Sequence, residues 1–352
     1  MLTNKEIIDP NILLDEIASM IKMTGDPGII WLEKLNKRNP LKFLGQYETV
    51  SPCGEVGMIK GETCQFGYLN LAAFFDDNQI DFSELKEVIS LAIRILDNGI
   101  EFNIRTFEDP LMSEVAFNKR KIGLGVCGWA DLLLLMRIKY GSDASLTLAE
   151  EIMSFIAYHS KLASIELAKE RGPFKSFKSY ENQYHYNFLE VMYGSKPTDL
   201  VSADDWKDIN KLVQKHGIRN SVTTSLPPTG RSSLILGTSP QIEPYFSINP
   251  GFEINQNLAL EKTLMSLKSA EDTESIKEFL VTALDLTGQD HLEMASRFQK
   301  FTDQAISKTV NFSKDVPIQV IKETILLADE LDLPVISIYV DGSREKQPQK
   351  LN

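Results

Sequence analysis

The sequence predicts an α/β protein in which about five parallel strands alternate with outer helices. Five short runs of β-branched and apolar residues are separated by segments whose apolar residues recur at helical spacing. Of the 352 residues, 43% are hydrophobic and 24% are charged, which is typical of a folded globular chain. Alternation of this kind favours a parallel sheet or barrel with helices on its outside. Because no internal repeat or low-complexity linker divides the chain, we expect one domain.

The N-terminal elements are a helix, a long connection, a strand and a second helix. Apolar spacing predicts the first helix over residues 9–23, and the Gly25-Asp-Pro-Gly28 turn ends it. Residues 39–63 hold four glycines and two prolines, and long connections in compact domains often carry function. An apolar run predicts a strand over residues 64–74, and a capping box begins a helix over residues 82–96.

The later elements continue the alternation of strand and helix. Further strands are predicted over residues 122–127, 222–226, 306–312 and 335–339. Further helices are predicted over residues 129–136, 146–171, 257–269, 275–287 and 318–331. Residues 173–206 are aromatic, polar and irregular. We assign residues 1–345 to the domain and residues 346–352 to a polar tail.

Charge and cysteine content exclude several classes of function. With 37 Lys and Arg against 49 Asp and Glu, the formal charge is −12, which disfavours polymeric nucleic acid and anionic membrane as partners. No apolar run approaches the roughly 18 residues of a membrane span. Three cysteines without a signal peptide predict a reducing, cytoplasmic location and exclude a disulfide scaffold. The four histidines are scattered, so no metal site is predicted.

The first candidate site is the segment Ser51-Pro-Cys-Gly-Glu55 in the long connection. Proline and glycine on either side of Cys53 favour a tight turn that presents the sulfur, and Glu55 is a candidate general acid or base. Cys64 follows eleven residues after Cys53, and a turn between them would bring both thiols into one pocket. The alternative is a buried structural thiol at Cys53 beside a solvated glutamate.

The second candidate site is the segment Pro227-Pro-Thr-Gly-Arg-Ser-Ser233, between a predicted strand and a helix start. Free N–H groups at a helix start bind phosphate, and hydroxyl and guanidinium groups add further donors. The residues assigned to phosphate binding are Pro228, Thr229, Gly230, Arg231 and Ser232. The alternative is an ordinary helix N-cap formed by Thr229 or Ser232. Cys127 lies in an apolar run and is predicted to pack in the core.

Seven motifs in one order resemble the catalytic subunit of ribonucleotide reductases. Ser51-Pro-Cys-Gly-Glu55 resembles the Asn-Pro-Cys-Gly-Glu signature of the family's finger loop. Thr63-Cys-Gln-Phe-Gly-Tyr-Leu-Asn-Leu71 is similar to the family's Ser-Cys-Asn-Leu-Gly-Ser-Ile-Asn-Leu strand. Lys121-Ile-Gly-Leu-Gly-Val-Cys-Gly-Trp-Ala-Asp131 is similar to Ile-Gly-Leu-Gly-Val-Met-Gly-Leu-Ala-Asp. The other similar segments are residues 219–224 with 228–230, 241–244, 305–311 and 339–344.

The similarity covers nearly the whole chain, from about residue 14 to residue 345. The eleven-residue spacing between Cys53 and Cys64 looks most like the adenosylcobalamin-dependent class II of this family. Adenosylcobalamin is therefore the implied cofactor, and the alternative is a radical from a metal-containing small subunit with no cofactor in this chain. The implied fold is the second half of a ten-stranded α/β barrel, with a finger loop inserted through the centre.

The resemblance also implies a role for each site residue. Cys53 becomes a thiyl radical that abstracts the ribose 3′ hydrogen, and Glu55 takes the 3′-hydroxyl proton. Cys64 is one half of the thiol pair that supplies two electrons, and residues 228–232 hold the substrate phosphates. Ser51 stands where the family has Asn, which hydrogen-bonds the ribose hydroxyl region, and a serine side chain is shorter with one hydroxyl in place of an amide.

The resemblance further implies that parts of the enzyme lie outside this chain. The chain begins in the middle of the family's sequence, so we expect a separate polypeptide to carry the N-terminal half-barrel and the thiol partner of Cys64. The family's C-terminal cysteine pair is absent, so we expect a thioredoxin-like or other thiol reductant. The implied function is reduction of ribonucleotides to deoxyribonucleotides for DNA synthesis. The alternative is a degenerate, non-catalytic subunit with a binding or regulatory role.

Overall fold

A computed structural model describes residues 9–246, 263 and 275–343 of the chain. Its α-helices are α1 (Pro10–Thr24), α2 (Leu32–Lys37), α3 (Phe82–Thr106), α4 (Pro110–Lys119), α5 (Trp129–Leu135), α6 (Asp143–Arg171), α7 (Ala203–His216), α8 (Gly230–Leu236), α9 (Gly288–Gln299) and α10 (Ile318–Glu330). Its strands are β1 (Ile29–Ile30), β2 (Thr49–Val50), β3 (Gly57–Met58), β4 (Gln65–Asn70), β5 (Phe75–Asp76), β6 (Gln79–Ile80), β7 (Ile122–Cys127), β8 (Thr309–Phe312) and β9 (Val335–Val340). The chain is therefore of mixed α/β structure. Within the described residues, none of the helices combines the length and the apolar composition of a membrane span.

The five predicted strand segments lie side by side in chain order, and neighbouring segments run parallel. β4 pairs in parallel with β7, and β8 pairs in parallel with β9. Residues 222–226 join these two pairs through isolated parallel bridges, from Thr224 to Leu124 and from Leu226 to Ile306. β1 adds to the outer edge of β9 in the antiparallel direction. Over the part of the chain that the structure describes, the sheets are small and do not close into a barrel.

The two faces of β7 have different packing partners. The side chains of Ile122 and Val126 are buried in the main apolar core, which α3 and α6 cover. On the opposite face, a Cβ on Gly123 would lie 2.3 Å from Ser225 Oγ, and one on Gly125 would lie 2.8 Å from the Ser225 carbonyl oxygen. Because only glycine permits these approaches, the segment after Ser225 packs directly onto β7. A second apolar core holds β8 and β9 against α1 and α10.

Several sequence predictions of helices are wrong or incomplete. Residues 275–287 contain a short 3₁₀ turn at Lys277–Phe279, and the long helix α9 starts only after Thr287, which forms a capping box with Asp290. The sequence prediction omits α4 and α7, and α7 starts inside the segment predicted to be irregular. Apart from Thr263, the predicted helix over residues 257–269 lies outside the described residues, as does the predicted tail.

Candidate active site

The Cys53 hairpin, which comprises residues 49–58, carries the first candidate site. β2 and β3 pair antiparallel and enclose a tight turn. The Ser51 N–H donates to the Val56 carbonyl at 2.8 Å, and the Val56 N–H donates to Ser51 Oγ at 3.2 Å. Ser51 is buried and closes the turn with its backbone and with its hydroxyl. The residue that replaces the family's Asn therefore holds the shape of its own loop.

The base of the Cys53 hairpin is anchored to the segment that precedes β8. The Ala305 N–H donates to the Glu55 carbonyl at 2.9 Å. The Gly57 N–H donates to Gln304 Oε1 at 3.1 Å. Gly57 and Gln304 are 247 residues apart in sequence. No local sequence pattern therefore identifies Gln304 as part of the site.

The tip of the hairpin packs against β9 and exposes Cys53. Gly54 has a φ of +85°, and a Cβ on it would lie 2.5 Å from Val335 Cγ1. Both the left-handed backbone and the close contact require glycine. Cys53 beside it is exposed, whereas the Glu55 side chain is buried. The alternative of a buried thiol beside a solvated glutamate is therefore wrong for both residues.

Glu55 places a buried carboxyl group close to two thiols. Its side chain is only 2% exposed, and among the described residues Oε2 has no hydrogen-bond partner. Burial raises the pKa of Glu55, and the lowering effects of its own backbone and of the Ser51 hydroxyl do not reverse this. Burial, followed by the charge of Glu55, raises the pKa of Cys53. The charge of Glu55 also acts on Cys64, so the carboxyl group lies near both sulfur atoms.

Cys64 lies immediately before β4, on the face that looks toward Gly123. A Cβ on Gly123 would be 3.4 Å from Cys64 Sγ, and the thiol is half-buried there. Burial raises the pKa of Cys64 well above its ordinary value, and the positive charge of Lys121 opposes this shift. The structure thus brings Cys53, Glu55 and Cys64 into one region, as their motifs predict.

Cys127 lies too far from Cys64 to pair with it. The register of β4 and β7 places Cys127 opposite Asn70, at the end of β4 remote from Cys64. Cys64 Sγ lies against Gly123, and Cys127 is four residues further along β7, about 13 Å away at roughly 3.3 Å per residue. This separation exceeds the reach of a disulfide. Cys127 is buried, and burial followed by the charge of Asp131 raises its pKa to about 12.

The N-terminal turn of α8 forms the second candidate site. Thr229 has a left-handed backbone with a φ of +55°, and its Oγ1 accepts a hydrogen bond of 2.7 Å from the Gln241 N–H. Thr229 occupies the N-cap position but makes no capping bond with its side chain, so the ordinary N-cap alternative is wrong. The Ser233 N–H makes the first intrahelical bond, to Thr229 O at 2.8 Å. The preceding N–H groups belong to Gly230, Arg231 and Ser232.

Four of the sequence motifs meet at one cavity beside this turn. The cavity has a volume of about 320 Å³. Its lining includes Pro228, Gly230, Glu243, Ser307, Asn311 and Tyr339. Segments that lie more than one hundred residues apart in sequence therefore contribute to a single concave surface next to the predicted phosphate loop.

Tyr68 connects the two candidate sites, and the sequence analysis does not identify it. Burial raises the pKa of Tyr68, and the side chain of Ser232 opposes this shift. The charges of Glu55, Cys127 and Cys53 add to the rise in the pKa of Tyr68. One sequence feature could have identified Tyr68: it stands where the family's strand motif has serine.

Cys53 is exposed at the hairpin tip, so a reaction partner outside this chain can approach it there. Over residues 9–246, 263 and 275–343, no cluster of three or more His, Cys, Asp or Glu side chains is arranged to hold a metal ion.

Comparison with known proteins identifies relatives over most of the chain. The family model for the ribonucleotide reductase barrel domain matches residues 2–339. A vitamin B12-dependent ribonucleoside-diphosphate reductase of Thermoplasma acidophilum is 34% identical over 95% of this chain and 43% of its own length. A protein of the same name from Mycobacterium tuberculosis is 31% identical over 95% of this chain and 46% of its own length. The alpha subunit of a ribonucleoside-diphosphate reductase from Chlamydia pneumoniae is 29% identical over 85% of this chain and 32% of its own length.

These matches fix the family and the extent of the similarity. The chain spans about half the length of the vitamin B12-dependent relatives that it matches. The motif order, the convergence of Cys53, Glu55 and Cys64, and the matched family model agree with one another. The prediction from the seven motifs is confirmed: this chain belongs to the ribonucleotide reductase barrel-domain family.

Proposed function

We propose that this chain is the C-terminal half of the catalytic barrel of a ribonucleotide reductase, which reduces ribonucleotides to deoxyribonucleotides. The observation that carries the proposal is the buried Glu55 carboxyl group, with one unpartnered oxygen, beside the thiols of Cys53 and Cys64. A buried carboxyl oxygen without a partner is costly. A substrate hydroxyl would satisfy it, and the burial that raises the pKa of Glu55 suits a group that accepts a proton.

Each residue of this group has a separate chemical task. The Cys53 thiyl radical removes the 3′ hydrogen atom of the ribose, and Glu55 accepts the 3′-hydroxyl proton. The 2′-hydroxyl then leaves as water. Cys64 and a second thiol supply two electrons and two protons and become a disulfide, and the 3′ hydrogen atom returns to the substrate from Cys53. The net reaction converts a ribonucleotide and two thiols into a deoxyribonucleotide, water and a disulfide.

The N-terminal turn of α8 would hold the substrate phosphates. The N–H groups of Gly230, Arg231 and Ser232 form the positive end of this helix, and Arg231 is exposed beside it. Thr229 would position the turn through its bond with Gln241 and not through a direct phosphate contact. The names of the relatives favour a nucleoside diphosphate as the substrate.

Adenosylcobalamin is the cofactor we propose, and it would supply the radical when bound. The relatives named vitamin B12-dependent are the support for this choice, together with the accessible sulfur of Cys53. This chain's own residues hold the thiol, since the hairpin anchors fix Cys53 and the neighbouring Glu55. A radical delivered from a metal-containing small subunit would reach the same sulfur, and dependence of turnover on added adenosylcobalamin distinguishes the two sources.

We further propose that an N-terminal half-barrel on a separate polypeptide packs beside β4. Within the described residues β4 pairs with β7 alone, so its second edge is open. Phe66 on β4 is exposed, and so are Leu91, Ile95 and Phe102 along one side of the adjoining helix α3. An open strand edge flanked by apolar side chains needs a covering partner. That half would carry the second redox thiol, since Cys127 is too far from Cys64.

The test is a reductase assay of this chain purified with the polypeptide that carries the N-terminal half. The mixture contains a ribonucleoside diphosphate, adenosylcobalamin and a thioredoxin-like or small dithiol reductant. We expect deoxyribonucleotide formation that depends on both polypeptides. Full activity of this chain alone would overturn the split-enzyme proposal, and no turnover in the intact complex would contradict the catalytic function.

A non-catalytic, regulatory subunit is the second candidate function. The observation that favours it is Ser51, whose hydroxyl closes the Cys53 hairpin where the family has Asn. A Cys53→Ser variant separates the two candidates, because a regulatory subunit would support the same reduction rate with either residue. The three free thiols are the support for the cytoplasm as the proposed location.

A further inference from the structure

Lys121, immediately before β7, is a buried lysine whose charged end reaches the Cys53 hairpin. Its Nζ donates to the Gly57 carbonyl at 2.7 Å. The same nitrogen lies 2.8 Å from Glu62 Oε1 and 4.4 Å from the centre of the Tyr47 ring. The side chain is 1% exposed, so these groups replace water around the charge.

Gly57 is held from both sides by these contacts. Its carbonyl accepts from Lys121, and its N–H donates to Gln304 Oε1. A Cβ on Gly57 would lie 2.5 Å from Cδ2 of Tyr47, so the strand backbone lies directly against that ring. Lys121 therefore fixes the base of the hairpin that carries Cys53 to the start of β7.

Lys121 and Cys64 directly precede Ile122 and Gln65, the pair at which the parallel pairing of β7 and β4 begins. Three charged groups act on Cys64: Lys121 opposes the rise in the pKa of Cys64 that burial causes, whereas Glu62 and Glu55 add to it. Lys119 is bound to Glu62 at 2.6 Å but is not among the groups that act on Cys64. Burial disfavours the charge of Lys121, yet Glu62 and Tyr47 raise its pKa overall, so Lys121 stays charged.

We propose that Lys121 is a positioning residue that holds the Cys53 hairpin next to Cys64 and directs positive charge at the Cys64 sulfur. The role rests on the proposed reductase function, in which Cys64 forms a disulfide that must be reduced again. Regeneration by thiol–disulfide exchange makes a thiolate of the leaving sulfur. The positive charge of Lys121 beside the Cys64 sulfur stabilises the thiolate. Because Lys121 is held in place, Cys64 does not have to move toward the charge.

The test compares Lys121→Met with Lys119→Met in the full chain. Each substitution removes a buried lysine that pairs with Glu62. Of the two lysines, only Lys121 contacts the hairpin and acts on Cys64. The rate of iodoacetamide alkylation at each cysteine is followed by peptide mass spectrometry across a range of pH. We expect Lys121→Met to slow alkylation of Cys64 by about tenfold, the effect of one pKa unit. The Cys64 rate in each variant is compared with the Cys64 rate in wild type, and the Cys53 rate is followed separately because Lys121 contacts the hairpin that carries Cys53.

Two further results decide the assignment. Lys121→Arg keeps the charge, so Cys64 reactivity is expected to stay within about twofold of wild type. Equal reactivity of Cys64 in folded Lys121→Met and in wild type overturns the proposal, as does an equal slowing in Lys119→Met. If Lys121→Met does not fold, Lys121→Gln repeats the measurement. Loss of folding in both, with Lys119→Met folded, would assign Lys121 a purely structural role. The assay needs no turnover, so its failure is distinguishable from failure of the reductase function.

Discussion

At the scale of single residues, local sequence identifies the candidate reacting groups but not the residues that hold them. Cys53, Glu55 and Cys64 belong to short motifs and are predictable from the chain alone. Gln304, Lys121 and Tyr68 complete the same region through contacts made across the fold. A side chain that acts through a distant backbone group leaves no local spacing to detect. At Ser51 the motif predicts a contact with the ribose, whereas in the structure the hydroxyl closes the turn of the Cys53 hairpin.

Replacement of Cys53 tests the radical role directly. In the complex with the N-terminal half, we expect Cys53→Ser to reduce deoxyribonucleotide formation by at least about a thousandfold, since serine supplies no thiol hydrogen atom for the chemistry. Cys127→Ala is the matched control, because Cys127 is a buried thiol at the end of β7 remote from Cys64. Its activity is expected to stay near that of wild type, with a stability loss of about 1 kcal/mol from the lost side-chain volume. Comparable losses of turnover in both variants would contradict the assignment.

Replacement of Glu55 is expected to separate activity from stability. The pKa of Glu55 is raised by burial, so the folded state favours the protonated form. That stability is fully present below the unfolded pKa and is lost as pH rises through the folded pKa. Glu55→Gln mimics the protonated form at every pH, so we expect its unfolding free energy near neutral pH to exceed that of wild type by about 1 kcal/mol.

The measurement is chemical denaturation of wild type and Glu55→Gln at several pH values. The difference is expected to vanish near pH 4, where the wild-type carboxyl group is itself protonated. Turnover of the variant is expected to fall by about two orders of magnitude, because the amide accepts no proton. A variant that is less stable than wild type at neutral pH would show that the charged carboxylate is favoured in the folded state.

At the scale of elements, most helices and the order of the strands were predictable, whereas several boundaries were not. The predicted strand over residues 122–127 coincides with β7, because glycines and buried apolar residues alternate there. The helix predicted over residues 275–287 is wrong because the prediction used apolar spacing alone, without a capping signal. The capping box of Thr287 and Asp290 marks the start of α9. α7 has a comparable signal in Ser202 and Asp205, and the aromatic segment before it masks the periodicity.

The hairpin tip offers a prediction at this scale. Gly54 and Gly172 have similar φ angles, +85° and +81°, but of the two only Gly54 lies against another side chain. We expect Gly172→Ala to destabilise the protein by about 1 kcal/mol through backbone strain alone. Gly54→Ala is expected to cost about 1–2 kcal/mol more, because the new methyl group would overlap Val335.

Thermal unfolding of Gly172→Ala, Gly54→Ala and a double variant tests this account of the hairpin tip. In a Gly54→Ala and Val335→Ala double variant the overlapping Cγ1 is removed, so the cost of the alanine at position 54 is expected to fall to that at Gly172. Additive losses in the double variant would show that Val335 does not limit the approach of the hairpin.

At the scale of the whole molecule, the chain presents an incomplete arrangement of parallel strands. The predicted strand segments follow one another in order from β4 to β9, and the open edge lies at β4. Neighbour order follows from the βαβ alternation in the sequence. Closure into a barrel does not follow from this alternation, and the strands of the described residues do not close into one.

The exposed side of α3 tests where the second half binds. Ile95 is 58% exposed on this helix, and Val191 is 72% exposed in the segment between α6 and α7. We expect Ile95→Lys to weaken co-purification of the N-terminal half by about tenfold or more, because a charge would be buried against an apolar surface. Val191→Lys adds the same charge elsewhere and is expected to leave the complex intact. Equal recovery of the complex with both variants would place the interface elsewhere.

The anchoring of the Cys53 hairpin bears on how the reductase can be assembled from parts. The hairpin that carries Cys53 is anchored by Gln304, Ala305, Val335 and Lys121, so its shape depends on contacts within this chain. The proposed N-terminal half would then be interchangeable with respect to the geometry of this hairpin. Chimeras with the N-terminal half of a related reductase would inherit the position of Cys53 unchanged, and differences in their turnover would report on the second thiol and the shared interface.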